Sequence, residues 1–284
     1  MIVPGAVVAA NRFGLGARPG ELAAIGGDPK GWLKAQLAPA NAIPAAVAAL
    51  SGTAARLDAL PTAMGGGADA QKNVILAALK MARQDYPQDA AARLQAAIAT
   101  DTPLVERLVA FWSNHFTVSA MRPVVAGLIG PFEAEAIRPN LFGRFVDLLK
   151  AATFHPAMLL YLDNATSVGP DSRAGQRRGR GLNENLAREL MELHTLGVDG
   201  GYSQADVTEL AKILTGWTIH RPNIPERAIA ATRGSAVFVT PIHQPGPKSL
   251  LGETYREDGP REAEAALDML AAHPSTAKFI ATKL

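Results

Sequence analysis

The sequence predicts an all-α fold, a multi-helix bundle-like single domain over residues 1–284, with a small loop or β-hairpin insertion near residues 235–251. Three observations predict it. Alanine inflates the 48% hydrophobic share while aromatics are only 6%, and alanine is both the best helix former and small enough to let helices approach closely. Apolar residues recur at i, i+4 and i+7 through most of the chain, the helical period. Proline and glycine fall between these stretches rather than in the regular alternation of a β protein.

In chain order, Asp28 before Pro29 reads as an N-cap with proline in the first turn, and Pro39 closes that short helix after Leu37. Residues 40–60 are alanine-rich and weakly patterned, and Gly65 to Gly67 form a flexible break. From Ala70 a stripe of Val74, Ala78, Met81 and Ala82 faces the core until Pro87 ends the helix. A second helix spans Asp89 to Ala99, and a third carries Leu104, Leu108, Phe111 and His115 on one side. Further helices are expected at 131–137, 143–152, 156–162, 184–196, 204–215, 260–272 and from Ser275 onward. The exception is the turn-rich run PIHQPGPK, flanked by Ala236 to Val239 and Ser249 to Leu251, which reads as a loop or a hairpin between those two arms. No period of 20 to 50 residues repeats, which argues against a solenoid. The final helix runs out with Phe279, Ile280 and Leu284 uncapped, the pattern of a truncated chain.

Composition excludes several functions. A formal charge of +2 from 28 basic and 26 acidic residues is too small for the broad positive field of a nucleic-acid binder. The absence of cysteine removes disulfides, thiolate metal sites and cysteine nucleophiles. The N-terminal apolar residues lack a basic leader region and are broken by Pro4 and Gly5, so no clear signal peptide is present and the start fits a cytoplasmic and an exported protein equally. No stretch reaches the ~20 apolar residues of a transmembrane helix.

The densest polar run lies on the helix 184–196. Asn185, Glu189 and Glu192 recur beside an apolar stripe of Leu186, Leu190, Leu193 and Gly197, with Asn183 as N-cap and Ser203 capping the following helix. Arg188 with Glu184 or Glu192 is an ordinary i,i+4 pair worth about 0.2 to 0.5 kcal/mol. Yet Asn183, Asn185, Arg188, Glu189, Glu192 and His194 crowd within twelve positions beside apolar residues, and half-buried polar groups need partners. The expectation is a network that joins Glu189 and Glu192 to His115 or Asp163. In FWSNHFTVS, Trp112, Asn114 and His115 lie among aromatics as a ligand pocket would have them, although a lone histidine there is more often a core histidine. Asp163 and Asn164 follow a helix in YLDNATS and suit capping, a turn or coordination. His115, Asp163, Glu192 and His194 are nitrogen and oxygen ligands of the kind that hold zinc, manganese or iron, which makes a divalent metal the cofactor to look for. Glu192 and His194, two apart, point away from each other on a regular helix. Arg173, Arg177, Arg178 and Arg180 precede the acidic helix and would suit a phosphate, sulfate or carboxylate, or else form a solvated loop. No His-Glu-x-x-His, Gly-x-Ser-x-Gly or P-loop motif occurs.

The blocks NRFGLGARPGEL, ERLVAFWSNHFTVS, AIRPNLFGRFVDLL, HPAMLLYLDNATSVGP, LNENLARELMELHTLGVDGGYSQADVTELAKILTGWT, HQPGPKSLLG and HPSTAKFIATKL resemble, in order, the signature blocks of the bacterial family called domain of unknown function 1800. The resemblance implies a mostly helical protein, often exported and often encoded beside a sulfatase-like protein. Its polar positions fall on Asn114, His115, Asp163, Asn164, Asn183, Asn185, Arg188, Glu189, Glu192, His194, Tyr202 and Asp206 without assigning them roles. Two function classes follow. The first is a binding or accessory protein acting with a partner protein, such as the sulfatase-like one. The alternative is a metal-assisted hydrolase that would use Glu189 or Glu192 as base, with Arg188 beside them and His115 or His194 as ligand. Convergence of these groups in one pocket decides between them.

Overall fold

The computed structural model of the chain describes residues 4–38, 43–61, 67–178, 181–220 and 234–284, with nothing to be said of the Arg178 side chain. Pro39, Gly65 and Arg180 lie outside the described residues. The architecture is mostly helical, with two small two-stranded sheets. No helix among the described residues is long and apolar enough to cross a membrane.

The N-terminal part holds α1 (Pro4–Val8), α2 (Glu21–Ile25), α3 (Pro29–Ala35), α4 (Ala45–Ala48) and α5 (Thr53–Asp58). Asp28 caps α3 as expected, accepting from Gly31 N at 2.9 Å, with Pro29 in the first turn. These short pieces lead to α6 (Ala68–Ala99), which corrects the expectation that Pro87 ends a helix there. Proline costs a helix about 3 kcal/mol through its missing N–H and its clash with the carbonyl four residues back. Here Pro87 and Arg83 both lie on the exposed face, where a carbonyl freed from the helical ladder is open to hydration. The opposite face is continuous: Ala78, Met81, Asp89, Ala92 and Ala96 are buried, with Asp85 half-buried between them. That stripe keeps the helical period straight through Pro87. It packs against α4, α8 (Pro123–Ala126) and α9 (Ile129–Phe132).

α7 (Pro103–His115) buries Leu104 and His115 as expected, together with Val105, Glu106 and Val109, while Leu108 and Phe111 are only half-buried. The main core lies in the C-terminal half, between α10 (Phe145–Phe154), α11 (Pro156–Tyr161), α13 (Asn185–Glu189), α14 (Gln204–Leu214) and α15 (Pro260–Ala272). Leu149, Leu159, Leu186, Leu190, Met191, Leu210 and Ile213 are almost wholly buried there. α12 (Gly175–Arg178) and the terminal α16 (Pro274–Lys283) flank it.

The helix expected at 184–196 is central but not regular. α13 gives way to a π-helical turn over Leu190–His194, whose wider winding inserts one residue into the helical face. Met191 therefore enters the core, and Leu193, expected in the apolar stripe, stands 42% exposed. Glu184, not Asn183, is the N-cap residue, although Asn183 Oδ1 accepts from Asn185 N at 2.9 Å. Ser203 caps α14 in a full capping box with Asp206.

The insertion is two hairpins rather than one. β1 (Trp217–Ile219) pairs with β2 (Ala236–Phe238), and β3 (Lys248–Leu250) pairs with β4 (Glu253–Tyr255), both antiparallel. The expected arms, 236–239 and 249–251, thus belong to different sheets. The β3–β4 turn is Leu251-Gly252, with φ of 51° and 83°, the left-handed pair that matches strand twist in a two-residue loop.

Candidate functional site

The polar run on α13 is mostly a clasp between helices. Glu184 Oε2 accepts from Arg188 Nη2 at 3.3 Å and from Gln204 Nε2 at 2.8 Å, and its Oε1 accepts from Thr208 Oγ1 at 2.6 Å. Arg188 also donates to Gln204 Oε1 at 2.8 Å, so its guanidinium ties α13 to α14. The hydrogen bond from Thr208 leads the causes that hold the Glu184 carboxyl below its usual range. Glu189 and Glu192 are half-buried and form no hydrogen bond among the described residues, and the expected network to His115 or Asp163 is not formed. Burial first, and the charge of Glu192 second, raise Glu189 above the ordinary carboxyl range. The Tyr202 phenol is raised by burial and then by Glu192. These three groups share a neighbourhood that contains no cation bonded to either glutamate.

His115 is a satisfied core histidine. Its Nε2 donates to the His194 carbonyl at 3.0 Å, which leaves Nδ1 to accept from Lys283 Nζ at 3.1 Å. Trp112, Phe116, Phe145 and Phe279 surround it with ring centroids within 6.4 Å. Removal from water pushes His115 down to about 4 and His194 to about 3, the latter helped by the charges of His115 and Lys283. Asn114, beside it, is exposed.

Asp163, at φ 61°, is gripped by Arg122 through both carboxylate oxygens, one bond at 2.8 Å. Asn164 is buried and donates to the carbonyls of Leu214 at 3.2 Å and Trp217 at 3.0 Å, so it pins the joint between α14 and β1. Asn183 is held by Ser167, whose Oγ accepts its N–H at 3.0 Å, and Asn185 is exposed. Arg173 and Arg177 are exposed and make no ion pair among the described residues. His115, Asp163, Glu192 and His194 are not brought together: the two histidine rings are 6.0 Å apart, and Asp163 is taken by Arg122. Among the described residues no three histidine, aspartate or glutamate side chains converge as metal ligands.

The charged cluster that does face a cavity was missed in the sequence. Arg138, wholly buried, donates to both oxygens of Glu106 at 2.8 Å and to Glu133 Oε1 at 2.9 and 3.0 Å. Arg93 Nε lies 2.9 Å from the other Glu133 oxygen. Beside them Arg56 grips Asp89 through two 2.7 Å bonds and donates to Gly127 O at 2.8 Å. Gly130 passes so near the Asp89 carboxylate that a Cβ would collide with it. Asp89, Arg93, Glu106 and Glu133 form the floor of a cleft of about 430 Å³ whose walls include Leu15, Val47, Leu50, Leu94 and Ile129. Buried charges on apolar helical faces were the available signal: Glu106 follows Val105, and Asp85 and Asp89 sit in the α6 stripe.

A second buried cluster lies under the hairpins. Glu262 accepts from Lys248 Nζ at 2.7 Å and from Asp258 N at 2.9 Å, and its Oε1 is 3.0 Å from His243 Nε2. His243 Nδ1 donates to Thr215 O at 2.7 Å. All three side chains are at most 2% exposed.

Comparison with known families matches residues 8–284 to a family described as protein of unknown function (DUF1800). No curated protein and no solved structure matches the chain. With the match running over nearly its whole length, from the glycine-punctuated N-terminal segment through the cleft, the α13–α14 clasp and the last helix, the chain belongs to the DUF1800 family.

Proposed function

We propose that the protein is a binding protein that works with a partner protein, and that the cleft beside α6 receives a segment of that partner. The observation that carries this reading is the pairing of apolar walls with one uncommitted charged edge. Leu15 and Leu94 are 48% and 61% exposed at the cleft, and large apolar side chains gathered at a concavity mark interaction sites. Behind the floor, Arg138 and Arg56 give their guanidinium groups to carboxylates or carbonyls, whereas Arg93, which lines the cleft, meets Glu133 through Nε and is 46% exposed. Its two terminal nitrogens make no hydrogen bond or ion pair among the described residues, which leaves them donors to spare. The partner to test first is the sulfatase-like protein that the family resemblance implies.

No observation favours the metal-assisted hydrolase, since Arg188 is spent on the clasp and neither histidine approaches Glu189 or Glu192 through a bond. The test is site-specific photo-cross-linking in the producing cells, with a photoreactive residue at Leu94 and, as control, at exposed Glu264 on α15. A discrete protein adduct at 94 and none at 264 is expected. Adducts at 264 alone, or none at 94, would overturn the assignment of the cleft.

A further inference from the structure

We infer that the segment seated in this cleft is an amphipathic helix of about three turns that offers an aspartate or glutamate from its apolar face to Arg93. The inference rests on the reading of the cleft as the partner site, and it names the chemistry of the occupant. On the α6 side of the cleft Tyr86, Ala90, Arg93 and Ala97 are spaced four, three and four residues apart, with Asp89 and Leu94 flanking that row. That is the spacing of a helix–helix seam, in which every 3.5 residues on average a side chain meets the facing helix. Two of the four are alanines, which let a second backbone come close, and Tyr86 and Arg93 are the long members that interlock with it. From position 86 to position 97 the wall is about 16 Å long at 1.5 Å per residue, the length of three helical turns.

The alternatives fit less well. An extended peptide gains its affinity from main-chain bonds to a free strand edge, and the cleft residues that lie in regular elements all lie in helices, with no strand among them. A wholly apolar helix would bury the terminal nitrogens of Arg93 without a hydrogen-bond partner, at the cost of their desolvation. A guanidinium has two edges that each match a carboxylate. Glu133 lies against Nε at 2.9 Å, and the two terminal nitrogens, which have no bond among the described residues, are left for an incoming acid. A single polar residue within an apolar seam also fixes register, so Arg93 would set which turn of the partner helix lies opposite Ala90 and Ala97.

The experiment maps the adduct formed at position 94 by mass spectrometry and then reverses charges. Glu133 keeps Arg138 and Ser113 as partners when Arg93 is replaced, so Arg93→Gln is expected to fold with an unchanged melting temperature, and Arg93→Glu, which sets a carboxylate beside Glu133, to fold with a lower one. The mapped segment should hold an aspartate or glutamate within one turn of the cross-linked residue. Arg93→Glu should lower adduct yield at least tenfold, and changing the mapped acid to lysine should restore most of it. An adduct on a segment without an acid, on a segment whose helix-breaking proline variants bind undiminished, or on lipid would overturn the inference while leaving a ligand in the cleft. Charge reversal without rescue would do the same. Absence of any adduct at 94 would remove the site and this inference with it.

Discussion

Two buried charge clusters divide the molecule, and they differ in what surrounds them. The cluster under the hairpins, His243, Lys248 and Glu262, has all three side chains buried, and its hydrogen bonds run to Thr215 and to the backbone of Asp258. The cluster between α6, α7 and α9, built on Arg138, Glu106 and Glu133, is as deeply buried at its centre but continues through Arg93 to an open, apolar-walled cleft. A buried ion pair is weak evidence for net stability, because desolvation offsets its attraction. Both clusters therefore fix geometry more than they add free energy. Only the second combines that fixed geometry with exposed apolar surface and an unspent donor edge, and that difference is why binding is assigned to it.

The largest effects should come from breaking either cluster at its centre. Arg138→Ala and Glu262→Ala each leave an unpaired buried charge and should cost about 3–5 kcal/mol in urea unfolding. Arg93→Ala, at the half-exposed end, should cost less than about 1 kcal/mol. A loss at Arg93 as large as at Arg138 would make the whole cleft floor structural and erase the contrast.

Next comes the register of the π-helical turn beside the C-terminal core. Met191→Ala should destabilise by about 2–5 kcal/mol, as for other buried methionines, whereas Leu193→Ala should stay within about 0.5 kcal/mol. The reverse order would restore the regular helix that the apolar spacing predicts.

The dry character of that half also has a pH signature. His115 and His194 titrate near 4 and 3 rather than 6.5, so their neutral forms stabilise the fold. That contribution is complete above pH 6.5 and declines as the pH falls through this range toward 4 and then 3. For His115 alone it amounts to about 3 kcal/mol, and His115→Phe should flatten the decline of the urea midpoint between pH 6.5 and 4. An equally steep decline in the variant would place the acid sensitivity elsewhere.

The smallest effect is expected at Glu189→Gln. Burial and Glu192 raise this carboxyl, so its charged form opposes folding above the raised pKa and ceases to do so below the ordinary glutamate range. The variant should gain less than about 1 kcal/mol at pH 7 and nothing at pH 3.5. A loss at pH 7 would mean that Glu189 has a bonded partner after all.

Much of the architecture was legible because helical period and capping are local. Asp28-Pro29, the Ser203 capping box and the buried row of Val207, Leu210, Ala211 and Leu214 follow from residues within a few positions of each other. The readings that failed depended on distant partners. Pro87 reads as a stop until the stripe through Asp85 and Asp89 is counted as buried, and that burial depends on Arg56, about thirty residues earlier. The π-turn that exchanges Leu193 for Met191 has no composition signal. The run PIHQPGPK is a loop between strands, as its prolines predict, but the strands on either side of it pair elsewhere, and the turn that joins β3 to β4, Leu251-Gly252, lacks the Asn-Gly signature. The acids of α13 stand out in the sequence by their density, whereas the single charges Glu106 and Arg138, set among apolar neighbours, carry no local motif.

The central claim, that partner binding belongs to the α6 cleft and not to the acidic helix, is tested most directly by hydrogen exchange of the protein with and without the cross-linked partner. Slowed exchange confined to α4 and to residues 86–97 of α6, with α13 and residues 173–178 unchanged, is the predicted result. Protection on α13 and the arginine-bearing segment, with α6 unaffected, would contradict it.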